Sequence, residues 1–565
     1  MATPAKPSLQ AQPASQVEST FHTSGLVQLT RPQLLGTMAG LMLALLVAAI
    51  DQTFVGTAEP KIIAQLSGFD RYPWVATAYL LSSTVAVPIF ARLSDMHGRK
   101  GYFLAGTALF VLASALCGAS GQLPLPLDGM SQLIVFRAIQ GIGAGMMMGL
   151  VFTIIGDVFS PAERGKYQGM FSAVWGFASM FGPTLGGWLT DHVSWRAAFY
   201  VNLPVGAITI AAIFFGFPNI RPHKVDHRLD WGGVVTLILC IVPLLLALTW
   251  VTGYGWASPR VESLLALSVV MLAAFLWFET KAAEPLIPLS LFRSQVISMC
   301  SISVFILGMG MFGVIIYLPL FMQGVLGVSA TQSGSLLTPL MMGAVAGSII
   351  TGQLNMRLRS YKPSAVAGSL FVAVGMNIFA QMDASTARLH VVAGMVIAGI
   401  GMGLLNPVYT VAVQNAAPRH YMGAATASTT FFRSIGSTVG VAIFGSVLLT
   451  SYKNDFTGSI PPGLPAAALQ PFSNPLMLAQ MRPQLDATFA KIPGGAAILS
   501  NLLAGVRTAL VHGLHQIFVA SAVIMTLAII LHVTLRAVPL RGRQPEHTTG
   551  QPSEHPPEHT EIIAH

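Results

Sequence analysis

Asp51 and Arg137 each set a charged group inside an almost wholly apolar neighbourhood of sequence. Asp51 stands in Ala49-Ile-Asp-Gln-Thr-Phe-Val-Gly-Thr-Ala-Glu-Pro60, after a long apolar-rich stretch. An acid so placed, alternating between neutral and charged forms, is the simplest carrier of protons through a membrane. Arg137 opens Arg137-Ala-Ile-Gln-Gly-Ile-Gly-Ala-Gly145, early in another apolar run. A buried guanidinium is costly unless it meets a carboxylate or several acceptors, and Asp51 is its natural partner. The competing reading of Arg137 is a side chain that snorkels to the membrane surface. Three readings of Glu59 stand: a second titrating group, a substrate contact, and, preferred, a wet interfacial carboxylate beside Lys61.

The elements that would position these residues are membrane spans. Of 565 residues 53% are hydrophobic and only 9% are Asp, Glu, Lys or Arg, with a mean hydropathy of +0.67. A soluble chain of this length would split into several polar-surfaced domains, whereas apolar runs of about 20 residues span a bilayer as helices. Candidate spans fall near 34–57, 73–92, 101–120, 131–153, 167–189, 196–216, 231–251, 262–279, 297–321, 332–354, 363–382, 389–411, 423–450 and 515–536. Connections carrying Arg92, Arg99 and Lys100, then Arg164 and Lys166, then Arg221, Lys224 and Arg228, then Arg357, Arg359 and Lys362, then Arg419, alternate with connections poor in cations. The positive-inside rule makes the first set cytoplasmic and puts both termini inside. The net charge of +9 is spread between the apolar runs, with no basic block to track nucleic acid. Cys117, Cys240 and Cys300 show no metal spacing and read as packing residues. The first thirty residues lack the order of a cleaved signal peptide, so the first span is expected to stay as an anchor. A large outward loop is expected over about 452–514, with a partly amphipathic helix around Ala496–Leu510; a lipid-surface cover without a site is its preferred reading.

Three further segments stand out. Ala91-Arg-Leu-Ser-Asp-Met-His-Gly-Arg-Lys100 packs scarce charge into one tight turn. Asp95 at a helix end can bond a neighbouring helix N-terminus and pair with arginine, and Gly98 admits a positive φ. Simple positive-inside charge explains Arg99 and Lys100 but not Asp95 with Gly98, so a conformational latch is the better reading. In Gly182-Pro-Thr-Leu-Gly-Gly187, Pro183 kinks a helix while Gly182, Gly186 and Gly187 admit a neighbouring backbone. A structural kink and a functional hinge both fit that segment. Arg433 reads equally as a substrate contact or a snorkelling cation.

These segments together resemble the major facilitator superfamily, in its branch of fourteen-span drug:proton antiporters of the QacA and EmrB type. Asp95, Gly98, Arg99 and Lys100 match the loop between spans two and three, with Ala91 for a glycine and Met96 for a basic residue. Gly182–Gly187 resembles the exporters' G-x-x-x-G-P-x-x-G-G motif, Ala178 standing at the leading glycine. Asp51, Thr53, Val55, Ala58 and Pro60 match the span-one signature L-D-x-T-x-V-N-x-A-L-P, with Gly56 for asparagine and Glu59 for leucine. Tyr254-Gly-Trp256, Glu284–Phe292, Gly423–Thr426 and Phe432-Arg433 look like later landmarks.

The resemblance implies an all-α polytopic membrane protein of two six-helix bundles plus two inserted helices. Its expected divisions are a disordered 1–30, a bundle at 31–220, the inserted pair at 221–290, a bundle at 291–539 and a disordered tail at 540–565. It implies proton-coupled export of small lipophilic compounds or drugs across the cytoplasmic (inner) membrane, with Asp51 and Arg137 coupling protons and Asp95, Gly98, Arg99 and Lys100 as latch. Gly182, Pro183, Gly186 and Gly187 form the antiporter hinge, and Glu59 and Arg433 are substrate or titration candidates. An uptake symporter and a transporter-like sensor are the alternatives. Expected partners are substrate, protons and lipid, with a periplasmic adaptor in a Gram-negative cell. No cofactor, metal, nucleic acid or enzymatic activity is expected, and no G-x-x-x-x-G-K-[ST] loop supports ATP-driven pumping.

Overall fold

The computed structural model describes residues 29–158, 161–218, 230–282, 285–358, 360–383, 386–418, 422–461, 464, 466–490 and 494–535. The latch residue Asp95 and its neighbour Arg92 lie within a described helix, but their side chains lie outside the described residues, as do those of Arg164 and Lys166. Arg221, Lys224, Arg228, Glu284, Arg359 and Arg419 also lie outside them. The described structure is helical, with no strand.

The membrane-length helices are α1 (Arg31–Leu66), α2 (Tyr72–His97), α3 (Arg99–Gly118), α4 (Gly129–Val158), α5 (Pro161–His192), α6 (Ala197–Gly216), α7 (Trp231–Tyr254) and α8 (Pro259–Lys281). They continue as α9 (Gln295–Leu320), α10 (Ala330–Leu358), α11 (Lys362–Ala380), α12 (Arg388–Ala416), α13 (Met422–Gly458) and α14 (Gly495–Thr534). Among the described residues 13 helices are long and apolar enough to cross a membrane. The exception is α5, whose centre is diluted by Gly176, Gly182, Pro183, Thr184, Gly186 and Gly187, the residues that let it pack closely.

Local chemistry sets several ends. Thr30 opens α1 with a capping box: its N–H donates to Gln33 Oε1 at 3.1 Å. Asp230 caps α7 by accepting from the Gly233 N–H at 2.8 Å. Gly98, with φ 102°, separates α2 from α3, a backbone conformation that disfavours any side chain. Asp128 caps α4 through Ser131 and binds Arg71 Nη2 at 2.9 Å. The Arg71 hydrogen bond holds the Asp128 carboxyl well below the usual carboxylate range. Its stabilisation is therefore present above the unfolded aspartate pKa and lost as pH falls through the lower folded value. Because both side chains are partly exposed, Asp128→Asn should cost only about 0–1 kcal/mol at neutral pH. The cost should vanish in strong acid, as thermal unfolding at two pH values would show.

The packing repeats itself. α1 packs on α5 and α6, α2 on α4, and α3 on α4 and α6. In the same order α9 packs on α13 and α14, α10 on α12, and α11 on α12 and α14. The two sets meet chiefly along α5 with α10 and α2 with α13, while α7 and α8 pack on each other and reach α13 and α2.

The segment after α13 departs from expectation. α13 runs on to Gly458, and α14 is one continuous helix of 40 residues from Gly495, so the stretch read as an amphipathic helix is its first part. Residues 459–494 remain between them, with Leu478–Phe489 helical. This segment is held against the helix ends. Phe472 and Phe489 are buried, Tyr452 Oη donates to the Phe472 carbonyl at 2.6 Å, and Asn474 Nδ2 donates to the Ile63 and Ala64 carbonyls. It lies over the far end of α1.

Hydrogen bonds between the two sets of helices, among the described residues, lie from mid-height to this 459–494 face. Tyr72 stacks on Tyr317 with centroids 5.6 Å apart and donates to the Ile316 carbonyl at 3.3 Å. Gln323 Nε2 donates to the Thr57 carbonyl at 3.0 Å, and the Thr184 and Thr338 hydroxyls lie 3.1 Å apart. Asp191 Oδ2, at the end of α5, accepts from both the N–H and the hydroxyl of Thr331, at 2.7 and 2.6 Å. Asp191 thus caps a helix of the opposite set, and the 459–494 face is closed.

Candidate functional site

α1 carries Asp51 and α4 carries Arg137 into the same buried interior, where they are 0% and 2% exposed. Arg137 Nη1 donates to Asp51 Oδ2 at 2.7 Å. Asp51 Oδ1 accepts from Gln140 Nε2 and Asn202 Nδ2, each at 2.8 Å. Ser114 ties the cluster together, taking bonds from Asn202 at 2.9 Å and Gln140 at 3.2 Å and donating to the Phe199 carbonyl. Five residues from α1, α3, α4 and α6 thereby form one network, all of them buried.

The cluster is built so that the ion pair can be lost without orphaning the arginine. Arg137 also donates to Gln140 Oε1 at 2.7 Å and to the Val75 carbonyl at 3.3 Å. Its guanidinium carbon sits 4.2 Å from the Tyr79 ring centre. A proton added at Asp51 Oδ2 would remove the negative charge and turn that oxygen from acceptor to donor. Arg137 would keep its remaining partners. A buried pair in which both members have other partners is a candidate two-state element. The snorkelling reading of Arg137 does not hold in this arrangement. Gln140 was missed although it follows Arg137 by three residues and so shares its helix face. Ser114 and Asn202 gave no signal, because only the fold brings α3 and α6 to Asp51.

Glu59 does not lie wet beside Lys61. It is 1% exposed with Oε1 unpartnered, while Lys61 turns to Asp191, 3.2 Å away, and to the Thr190 carbonyl. Burial between helices won over the interfacial position that the sequence suggested. Arg433, in α13, stands apart from the Asp51 network and leaves Nε unpartnered.

The glycine–proline segment of α5 faces two helices at once. A Cβ on Gly182 would stand 2.1 Å from Thr53 Oγ1, and one on Gly186 2.6 Å from Phe54 Cα, both on α1. A Cβ on Gly187 would stand 2.2 Å from the Ala330 carbonyl oxygen, and one on Gly334 of α10 1.9 Å from that of Pro183. Only glycine permits such approach. At the opposite face, Lys100 Nζ donates to the Phe214 carbonyl at 2.8 Å, and Arg99 Nη1 to Ser94 Oγ at 3.4 Å. Lys100 therefore ties α3 to α6.

Residues 41–441 match the model of the Major Facilitator Superfamily. The chain is 36% identical over 520 residues to the multidrug transporter protein MdtP of Bacillus subtilis (strain 168), covering 90% of this chain and 94% of that protein. It is also 36% identical over 469 residues to multidrug resistance protein 3 of the same organism, covering 82% and 88% of the two. In fold it is similar to a bacterial homologue of the human lysosomal transporter Spinster, solved inward-facing and unoccupied. The TM-score is 0.59 at 17% identity, over 90% of this chain and 100% of that one. With its multi-pass helices and twofold packing, the chain belongs to the Major Facilitator Superfamily of membrane transporters.

Proposed function

We propose that the protein is a proton-coupled antiporter that exports small lipophilic, neutral or weakly charged compounds from the cytoplasm. The observation that carries this reading is the buried Asp51–Arg137 pair with its alternative partners. The relatives' names speak of drug transport and drug resistance, and resistance through transport requires export. By the positive-inside rule the Gly98 face is cytoplasmic, so the protein sits in the cytoplasmic membrane with both termini inside and the 459–494 face outside. The closed outer face then makes this a state shut to the outside.

Protonation of Asp51 from outside weakens its hold on Arg137 and favours one access state; release to the cytoplasm restores the pair. Substrate leaves in exchange as the halves rock about a central site. The Gly182–Gly187 contact and the Asp191 cap hold the outer face shut, and the Gly98 turn serves the other face. No step of this cycle calls for a bound cofactor or a covalent intermediate.

Cells carrying the protein should accumulate less Nile red, a neutral lipophilic dye, than cells without it, and a proton uncoupler should erase the difference. A difference that survives the uncoupler would refute proton coupling. Asp191→Asn should weaken the cap on α10 and shift the population towards an open outer face. Spin labels placed across α5 and α10 on that face would report longer distances than in the unmodified protein.

A further inference from the structure

We propose that Glu59 is a second proton-binding residue of the cycle, holding its proton in the closed-outside state on the route from the outer face to Asp51. The proposal rests on the exchange mechanism above. Glu59 lies on α1 eight residues beyond Asp51, about 12 Å nearer the 459–494 face at 1.5 Å per residue. It is 1% exposed and Oε1 accepts nothing among the described residues.

The surroundings say which form of the acid fits. The groups within electrostatic reach from other elements are Tyr72 on α2, Tyr317 on α9 and Arg137 on α4. Tyr72 has given its O–H to the Ile316 carbonyl, and Tyr317 has given its own to the Val441 carbonyl at 2.8 Å. Arg137 is committed to Asp51, Gln140 and Val75. On its own helix, Lys61 turns away to Asp191. Ionised, the carboxylate would keep Oε1 buried without a donor, which is costly, whereas the neutral acid is tolerated.

Tyr72 and Tyr317 come from opposite halves and stack across the closed face. Parting the halves separates them and admits water to Glu59. A carboxylate oxygen then takes a proton from hydronium in that water: one hydronium O–H bond breaks, the carboxyl O–H bond forms, and a neutral water is left. Closure seals the proton in while Asp51, still paired with Arg137, holds none. Glu59 is thus loaded one step ahead of Asp51.

The test is infrared difference spectroscopy on the purified full-length protein, reading the carbonyl stretch of neutral carboxylic acids. Glu59→Gln should remove one carboxylic-acid equivalent, and Asp51→Asn in the same state should remove none. In vesicles, Glu59→Gln should slow proton-driven Nile red export several-fold at an unchanged number of protons per dye, and Glu59→Asp should restore the rate. An unchanged acid band in Glu59→Gln would overturn the proposal, as would an unchanged rate of proton-driven export. So would loss of ethidium transport with Nile red transport and its proton count intact, which would make Glu59 a contact for cations. Loss of an acid band in Asp51→Asn would instead strike the ion-pair reading and leave Glu59 to its own result.

Discussion

Replacing Asp51 by asparagine is expected to abolish uphill export of Nile red while sparing dye binding and dye-for-dye exchange. The aspartate receives three donors on two oxygens: Arg137 on Oδ2, and Gln140 and Asn202 on Oδ1. Asparagine offers one acceptor oxygen and one NH2 group. Whichever way it turns, its NH2 faces a donor, so it cannot reproduce the ionised state. Its charge resembles that of the protonated acid, and the cycle loses the switch that a proton throws. Vesicles under an imposed proton gradient should export dye at the rate of protein-free vesicles, whereas exchange of labelled for unlabelled dye should persist. Full proton-driven export by the variant would refute the role of Asp51.

The second large effect is on stability. Arg137→Met removes the cation from a pair that is almost wholly buried, leaving the carboxylate with amide donors alone. Breaking a buried pair from one side costs about 3–5 kcal/mol. Adding Asp51→Asn should return part of this, because the uncompensated charge is gone. The two effects should then be sub-additive by about 0.5–3 kcal/mol, as contacting residues are. Unfolding of the two single variants and the double variant measures this directly. Strict additivity would show that the two side chains do not interact in the folded protein.

The apolar runs declared nearly the whole helical frame, because a bilayer allows few solutions for the backbone. Their boundaries were less legible where a helix outlasts the membrane. α14 continues through Ala496–Leu510, since no proline interrupts it there and its single glycine, Gly505, is carried within the helix. The chemistry was legible in proportion to its cost. A charge inside an apolar run is conspicuous, so Asp51 and Arg137 announced themselves. Neutral partners such as Ser114 and Asn202 are ordinary in a membrane helix, and only three-dimensional packing shows that they meet the acid.

Glu59 misled for a related reason. One residue separates it from Lys61 in sequence, which suggests an ion pair at an interface. Yet residues two apart on a helix face different ways, and Lys61 reaches Asp191 on α5 instead. The cross-half cap made by Asp191 on Thr331 was likewise invisible, because it joins segments 140 positions apart. The tight turn at Gly98, by contrast, was visible from its motif alone.

The most direct measurement is proton movement driven by substrate. Vesicles containing the protein are given a Nile red gradient with no initial pH difference, and an internal pH dye reports the response. The unmodified protein should move protons against the dye's direction, building a pH difference that an uncoupler collapses, and Asp51→Asn should build none. Dye movement without proton movement in the unmodified protein, or an equal pH response in the variant, would contradict the exchange centred on Asp51 and Arg137.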